Sequence, residues 1–149
     1  MQALQLSEGK VHWSGVNPLP QPSDNEVTVK VSAAGVNRAD LMQIAGKYPP
    51  PPGASDIPGL EVAGIVAEVG SGVAGPQKGQ RVAALLAGGG FAEYVNVPAE
   101  QVLPVPDNWT DEMAAGWLET FATAYLNVFM LANLQPQESV LTHAGASGV

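Results

Sequence analysis

The amino-acid sequence predicts a mainly β domain with short helices. Its 149 residues suffice for one packed domain, and 46% of them are hydrophobic, which is enough to fill a core. Glycine and proline occur 17 and 13 times without a repeat period, as is typical of a chain with many turns. Short strands joined by irregular loops predict a small barrel or sandwich.

The clearest strand candidate covers residues 27–31, where apolar and polar side chains alternate with period two. This is the pattern of a strand with one solvated face. Weaker alternation of the same kind, bounded by glycine and proline, predicts five further strands. These cover residues 1–6, 61–69, 81–86, 91–97 and 101–105.

A short helix is predicted over residues 37–45, with Asn37 as its capping residue and Gly46 after its end. Tyr48 follows, and four consecutive prolines at 49–52 then hold the chain extended, because proline fixes its backbone and cannot donate to a sheet. The sequence therefore predicts a stiff loop that carries one aromatic side chain.

A longer helical region is predicted over residues 110–134. Thr110 is its expected cap, and acidic residues occupy its first turn, where the helix dipole favours negative charge. Aromatic residues recur at every fourth position and form one stripe, which we interpret as core rather than as a stacking surface. The stripe consists of Trp117, Phe121, Tyr125 and Phe129.

The end of the sequence predicts the start of a second structural unit. Residues 139–143 have the composition of a buried strand, and residues 144–149 form a glycine-rich stretch that resembles the beginning of a phosphate-binding turn. Since no helix follows this turn in the sequence, we expect the chain to be part of a longer protein.

Charge and composition argue against several classes of partner. The net charge is −8, and such a field repels the phosphate backbone of nucleic acid. The absence of cysteine excludes disulfides and thiolate metal sites. Residues 1–15 lack the features of a signal peptide, and no later stretch reaches membrane-spanning length. We therefore expect a cytoplasmic protein with no membrane and no nucleic-acid partner.

Five segments, in this order along the chain, resemble the medium-chain dehydrogenase/reductase superfamily. They are Gly-Val-Asn-Arg-Ala-Asp at 35–40, Tyr-Pro-Pro-Pro-Pro-Gly at 48–53, Pro-Gly-Leu-Glu-Val-Ala-Gly at 58–64, Gly-Gly-Gly-Phe-Ala-Glu-Tyr at 88–94 and His-Ala-Gly-Ala-Ser-Gly at 143–148. Within the superfamily they are most similar to the zinc-free quinone oxidoreductases of the tumour-suppressor-inducible type, in which the Asn-Arg-Ala-Asp-Leu-Met-Gln run and the proline loop also occur.

The resemblance implies a GroES-like catalytic domain, a partly open β-barrel with short helices, over residues 1–108. Residues 109–149 would form a helical connection and the first strand and glycine turn of a truncated NAD(P)-binding Rossmann domain. It also implies that the whole protein is a homo-oligomer, and that this chain alone is inactive.

Zinc-dependent members of the superfamily place metal ligands where this sequence has Asn37, Leu60 and Glu119. Leucine cannot coordinate zinc, an amide is a poor ligand, and one carboxylate does not make a site, so we expect no zinc. Ala39 stands where those enzymes carry the hydroxyl group of a proton relay. Without a metal to polarise a carbonyl, the resemblance favours an electron-poor acceptor such as a quinone or an enone.

Asn37 and Tyr48 are the candidate catalytic residues. By its match to the family motif, Asn37 would face the nicotinamide, while the sequence alone equally favours a helix cap, and one amide can serve both purposes. Tyr48 would offer its hydroxyl to the acceptor or the cofactor. Alternatively, its ring is a hydrophobic plug, or the proline run binds a partner protein.

The candidate cofactor-binding residues are Asn37, Thr123, Gly145, Ser147 and Gly148. Thr123 matches the family's threonine beside the nicotinamide, or else bonds back to its own helical turn. The two glycines fit a dinucleotide-binding turn, where a missing side chain lets phosphate approach the backbone. Ser147 replaces the second glycine of that pattern.

Three further charged residues are expected to frame the site. Asp40 and Glu61 would support it structurally, and Arg38 would pair with one of them or with a cofactor phosphate. His12 and His143 have no carboxylate or nucleophile at a meaningful spacing in the sequence and receive no role.

These features together predict an NADPH-dependent quinone oxidoreductase, with NADH as a second candidate donor. The whole protein would supply a dry cleft, orientation and hydrogen bonds, and no metal. One alternative is an enoyl or alkenal double-bond reductase of the same superfamily. The other is a GroES-like interaction domain without catalysis.

Overall fold

The computed structural model describes residues 1–7, 10–15 and 21–149. Strands and short helices alternate along them, and strands predominate before residue 105. The strands are β1 (Gln2–Ser7), β2 (Lys10–Gly15), β3 (Glu26–Ala34), β4 (Glu61–Val69), β5 (Arg81–Leu85), β6 (Tyr94–Pro98) and β7 (Val102–Pro104). The helices are α1 (Arg38–Ile44), α2 (Asp111–Ala115) and α3 (Leu118–Tyr125), with a 3₁₀ turn at Ala99–Gln101 and a π-helical turn at Leu126–Leu131.

Five of the strands form one antiparallel sheet with the order β6-β3-β4-β5-β7. Strands β1 and β2 form a separate antiparallel hairpin. A single bridge between Ala3 and Ala92 joins the hairpin to the segment before β6, and the Leu4 N–H donates to the Phe91 carbonyl at 2.8 Å. The predicted mainly β fold with short helices is confirmed, and the expected partly open barrel takes the form of an open five-stranded sheet with a separate two-stranded hairpin.

The core lies on both faces of the five-stranded sheet, because β4 contributes side chains to each. Val62 and Val66 belong to a large valine-rich cluster on one face. Ala63 belongs to a second cluster on the other face, into which α2 inserts Ala114 and Ala115. Residues 114 and 115 are almost fully buried, so the first helix after β7 packs directly against the sheet.

Arg81, at the start of β5, ties the sheet to the segment that leads into α2. Its Nε donates to Asp111 Oδ1 at 2.7 Å. Its two terminal nitrogens donate to the carbonyl oxygens of Pro106 and Trp109. Three contacts from one half-buried guanidinium fix this connection in one geometry.

The predicted helix over residues 110–134 is broken into three pieces. Thr110 caps the first piece as expected, since its hydroxyl accepts a hydrogen bond from the Met113 N–H. Helix α2 ends at Gly116, a poor helix former, and α3 then continues into the π-helical turn.

The assignment of the aromatic stripe to the core is confirmed only for Trp117, which packs against the second core cluster. Trp117 contacts Trp109, with ring centroids 5.4 Å apart, and also contacts Phe121. However, Phe121, Tyr125 and Phe129 are 64%, 59% and 53% exposed. No element of the described chain covers this face, so helical spacing alone did not establish burial.

The predicted strand at 139–143 is also wrong. These residues have no strand conformation, and Leu141 is 87% exposed. A strand requires a neighbour to pair its backbone groups, and within the described residues no strand lies beside this segment. Conversely, β2 was not predicted, because Val11 and Trp13 are both exposed and its sequence lacks a buried face.

Candidate functional site

Asn37 and Asp40 form the start of α1. Asn37 has extended backbone angles and occupies the N-cap position, and its backbone N–H donates to Asp40 Oδ2 at 2.7 Å. The other carboxylate oxygen of Asp40 accepts the Gly59 N–H at 3.0 Å. Asp40 is fully buried, and its two hydrogen bonds connect the loop before β4 to the start of α1.

The side-chain amide of Asn37 is held by a second buried acid. Its Nδ2 donates to Glu61 Oε1 at 2.8 Å, and the other oxygen of Glu61 accepts the Glu119 backbone N–H at 3.0 Å. Glu61 is only 2% exposed. Glu61 thus connects α1, β4 and α3, and it fixes the orientation of the Asn37 amide while the amide oxygen remains an acceptor.

Two glycines create the space for this arrangement. A Cβ on Gly35 would lie 2.4 Å from Glu61 Oε1 and 2.6 Å from the Ala115 carbonyl oxygen. Gly59 has φ +108, and a Cβ there would lie 2.6 Å from the Phe91 backbone nitrogen. The second glycine also needs a backbone conformation that other residues rarely adopt. Both positions therefore require glycine if Glu61 and Asp40 are to stay where they are.

Three carboxyl groups share this region. Burial raises the pKa of Asp40 above its ordinary value, although hydrogen bonds from the Asn37 and Gly59 backbones lower it. Burial also raises the pKa of Glu119, and the nearby charges of Glu61 and Asp40 raise it further. No lysine, arginine or histidine of the described residues forms an ion pair with any of the three. A negative charge on Glu119 is therefore unfavourable here.

We expect Glu119→Gln to make the chain more stable than the wild type at neutral pH. The folded-state pKa of Glu119 is raised, so the protonated carboxyl group stabilises the folded chain fully below the ordinary glutamate pKa, about 4.3. This stabilisation is lost as the pH rises through the raised pKa. The advantage of the variant should therefore shrink on acidification. Thermal unfolding at neutral pH and near pH ~4 measures this difference.

Glu100→Gln is the matched control, because Glu100 is exposed and does not belong to the carboxyl cluster. If both variants shifted the unfolding temperature equally at neutral pH, the unfavourable charge would not be specific to Glu119.

Tyr48 lines a groove of about 610 Å³ between the β1–β2 hairpin and the proline loop. Its side chain is 44% exposed, so the ring is not a buried plug. Asn37 is not among the described residues that line this groove. The structure therefore does not bring the two candidate catalytic side chains into one cavity.

The predicted cofactor residues are dispersed. Thr123 is half-buried in α3, one turn after Glu119. Gly145, Ser147 and Gly148 lie in an exposed turn, where the Ser147 N–H donates to the Ala144 carbonyl at 2.8 Å. A phosphate cradle uses free backbone N–H groups at a helix start, and the cofactor role of these three residues stays a prediction.

The side chains of the three residues that the resemblance places at zinc-ligand positions are a poor fit for a metal ion. Leu60 has no donor atom, and the Asn37 amide is bonded to Glu61. Glu119 contributes only its backbone N–H to that arrangement. Within residues 1–7, 10–15 and 21–149, no group of three or more histidine, cysteine, aspartate or glutamate side chains could hold a metal ion.

Among the helices of the described residues, none has the length and apolar composition of a membrane-spanning helix.

The alcohol dehydrogenase GroES-like domain model matches residues 23–107. The chain belongs to this family. Asn37, Asp40, Tyr48 and Glu61 all lie within the GroES-like match, whereas Glu119 and the hairpin residues that line the groove lie outside it.

Sequence and structure comparisons identify several relatives of this GroES-like domain. The synaptic vesicle membrane protein VAT-1 homolog of Rattus norvegicus is 42% identical over 87% of this chain and 32% of that protein. The chain therefore spans about a third of the length of that curated relative. The crystal structure of CurK enoyl reductase matches with a TM-score of 0.88 and 31% identity, over 99% of this chain and 48% of that chain.

The crystal structure of Escherichia coli quinone oxidoreductase complexed with NADPH is also similar. It matches with a TM-score of 0.74 and 30% identity, over 92% of this chain and 42% of that chain. The resemblance to the medium-chain dehydrogenase/reductase superfamily and to its quinone oxidoreductase type is thus confirmed.

The sequence identified Asp40 and Glu61 as residues of the site, but it did not indicate which residues they contact. Asp40 and Glu61 were expected to frame the site, and both are buried hydrogen-bond acceptors. Arg38, proposed as their partner, is exposed and has no ion pair among the described residues. Glu61 bonds Asn37 and Glu119, which lie 24 and 58 positions away, and no local pattern could have indicated either contact.

Proposed function

We propose that the whole protein reduces a quinone with hydride from NADPH and without a metal. The observation that carries the proposal is the hydrogen bond between Asn37 and Glu61, beside a leucine at the second zinc-ligand position. The side-chain amide of Asn37, which stands in place of the family's first metal ligand, is hydrogen-bonded to the Glu61 carboxylate. The similarity to Escherichia coli quinone oxidoreductase complexed with NADPH supports the choice of acceptor and cofactor.

A quinone is the acceptor that needs the least help from the protein. Zinc serves ordinary carbonyl reduction by stabilising an alkoxide, whereas a quinone that accepts a hydride becomes an aromatic hydroquinone anion with delocalised charge, which then takes one proton from solvent. NADPH supplies the hydride. The chain would then supply orientation and hydrogen bonds, from the fixed Asn37 amide on the nicotinamide side and from the exposed Tyr48 hydroxyl to the acceptor. Thr123, Gly145, Ser147 and Gly148 remain our proposed cofactor contacts in the whole protein.

Reduction of an enone is the second candidate. It is favoured by one observation, the TM-score of 0.88 with CurK enoyl reductase over 99% of this chain. The same metal-free site suits it, since an enone also accepts hydride as a conjugated, electron-poor group. The two functions differ in which acceptor is consumed.

Acceptor competition in the whole protein distinguishes these functions. NADPH oxidation is followed with a naphthoquinone and, separately, with an alkenal, and zinc is determined by elemental analysis after mild purification. We expect the quinone to be consumed faster, and less than one zinc per chain. Faster turnover of the alkenal would favour the double-bond reductase, and failure to bind NADPH would favour an interaction domain. One tightly held zinc per chain would refute the metal-free proposal.

We propose that residues 1–108 form the catalytic domain and that residues 109–149 lead into a Rossmann domain. The whole protein would be a cytoplasmic homo-oligomer that acts on a small molecule, with no nucleic-acid or membrane partner. The acidic net charge of −8 supports the exclusion of nucleic acid.

A further inference from the structure

The groove beside Tyr48 combines one apolar wall with one polar wall. The apolar wall comes from the loop, with the Tyr48 ring, Pro49, Pro50 and Ile57. The groove has a volume of about 610 Å³. This lies within the range of small-molecule sites, which are mostly apolar with a few placed polar groups. The flat faces of proline and tyrosine suit a planar ring.

The polar wall is built by the β1–β2 hairpin. Gln5 pairs with His12 across the hairpin, and directly opposed residues place their side chains on the same face. Ser7 is two residues from Gln5 and therefore shares that face. All three residues line the groove, so the hairpin register places an amide, a hydroxyl and an imidazole opposite the loop.

His12 has one ring nitrogen available for a ligand. Its Nδ1 lies 3.5 Å from Ser7 Oγ, and a hydroxyl that donates to Nδ1 leaves Nε2 as an N–H donor. Gln5 is less available, because its Oε1 accepts the Ser14 hydroxyl at 2.6 Å. Gln43 is also occupied, since its Nε2 donates to the Asp56 carbonyl at 3.2 Å.

We propose that this groove binds the planar quinone acceptor, with His12 Nε2 donating a hydrogen bond to one of its oxygens. The quinone ring would lie against the loop wall, and the Tyr48 hydroxyl, which has no hydrogen-bond partner among the described residues, would reach the ligand from that wall, across the groove from His12. The inference rests on the proposed function and adds His12 and the hairpin as the part that recognises the acceptor.

Ligand binding without cofactor tests this inference separately from catalysis. A hydroxynaphthoquinone is titrated calorimetrically into the whole protein in the absence of NADPH. We expect saturable binding that His12→Ala weakens roughly fivefold, the loss of one neutral hydrogen bond. His12→Gln, which keeps an N–H donor near the Nε2 position, should recover part of the affinity.

His143→Ala is the matched control, because His143 is exposed and lies outside the groove. It should bind the quinone like the wild type. Absence of saturable binding, or equal affinity for the wild type and His12→Ala, would overturn the inference. If binding depended on His12 but the whole protein oxidised no NADPH with any quinone, the proposed function would fail and the acceptor site would stand.

Discussion

Replacing Gly35 with alanine is expected to lower the free energy of unfolding by about 3 kcal/mol, the upper part of the usual range for overpacking. The added Cβ would lie 2.4 Å from Glu61 Oε1 and 2.6 Å from the Ala115 carbonyl oxygen. Neither neighbour can move freely, because Glu61 is bonded at both oxygens and Ala115 is buried in the second core cluster. Chemical denaturation followed by circular dichroism measures the loss.

Gly75→Ala is the control for the intrinsic effect of replacing glycine. A Cβ at Gly75 would meet nothing within 4 Å, and alanine at a compatible site restricts the unfolded chain and tends to stabilise. The two variants should therefore shift the denaturation midpoint in opposite directions. Equal midpoints for Gly35→Ala and the wild type would show that Glu61 and α2 can move apart at little cost.

In the whole protein, Tyr48→Phe is expected to lower quinone turnover by roughly ten- to a hundredfold. A hydrogen bond to a developing negative charge contributes about 1.5–3 kcal/mol, and the substitution removes the hydroxyl while keeping the ring. The exposed position of Tyr48 at the groove makes a large effect on folding unexpected. Steady-state rates at saturating NADPH measure the effect.

Tyr94→Phe provides the comparison, because Tyr94 lines a different groove, near β6. That variant should retain wild-type turnover. A Tyr48→Phe enzyme with unchanged turnover would leave Tyr48 with only a packing role in the loop.

The strands of the sheet could be predicted because each has a local signature. The alternation predicted a strand over residues 61–69, and β4 has the same bounds. The pattern arises because alternate side chains of β4 pack against the two core clusters on opposite faces of the sheet. Strand β2 could not be predicted, because an exposed hairpin has no buried face to impose a pattern. The segment 139–143 was assigned to a strand although its composition carries no information about a partner strand.

The site was predictable as a set of residues but not as a geometry. The motif around Asn37 and the acids Asp40 and Glu61 were identified from the sequence, whereas their pairing depends on where α1 and α3 meet β4. His12 was set aside because no chemical partner occurs near it in the sequence. Its proximity to the Tyr48 loop arises from the position of the hairpin against that loop, which is a long-range contact.

The contacts of Arg81 and Glu61 determine where the helical region can pivot. Arg81 fastens Asp111 at the start of α2, and Glu61 fastens the backbone of Glu119 in the first turn of α3. The segment from Asp111 to Glu119 is therefore tied to the five-stranded sheet at both of its ends. We expect any rotation of the following segment to occur after Glu119, in the second half of α3 or in the π-helical turn Leu126–Leu131, a helix type that often marks functional sites. A hinge there would let Phe129 and the residues after it swing while the Asn37 amide keeps its orientation.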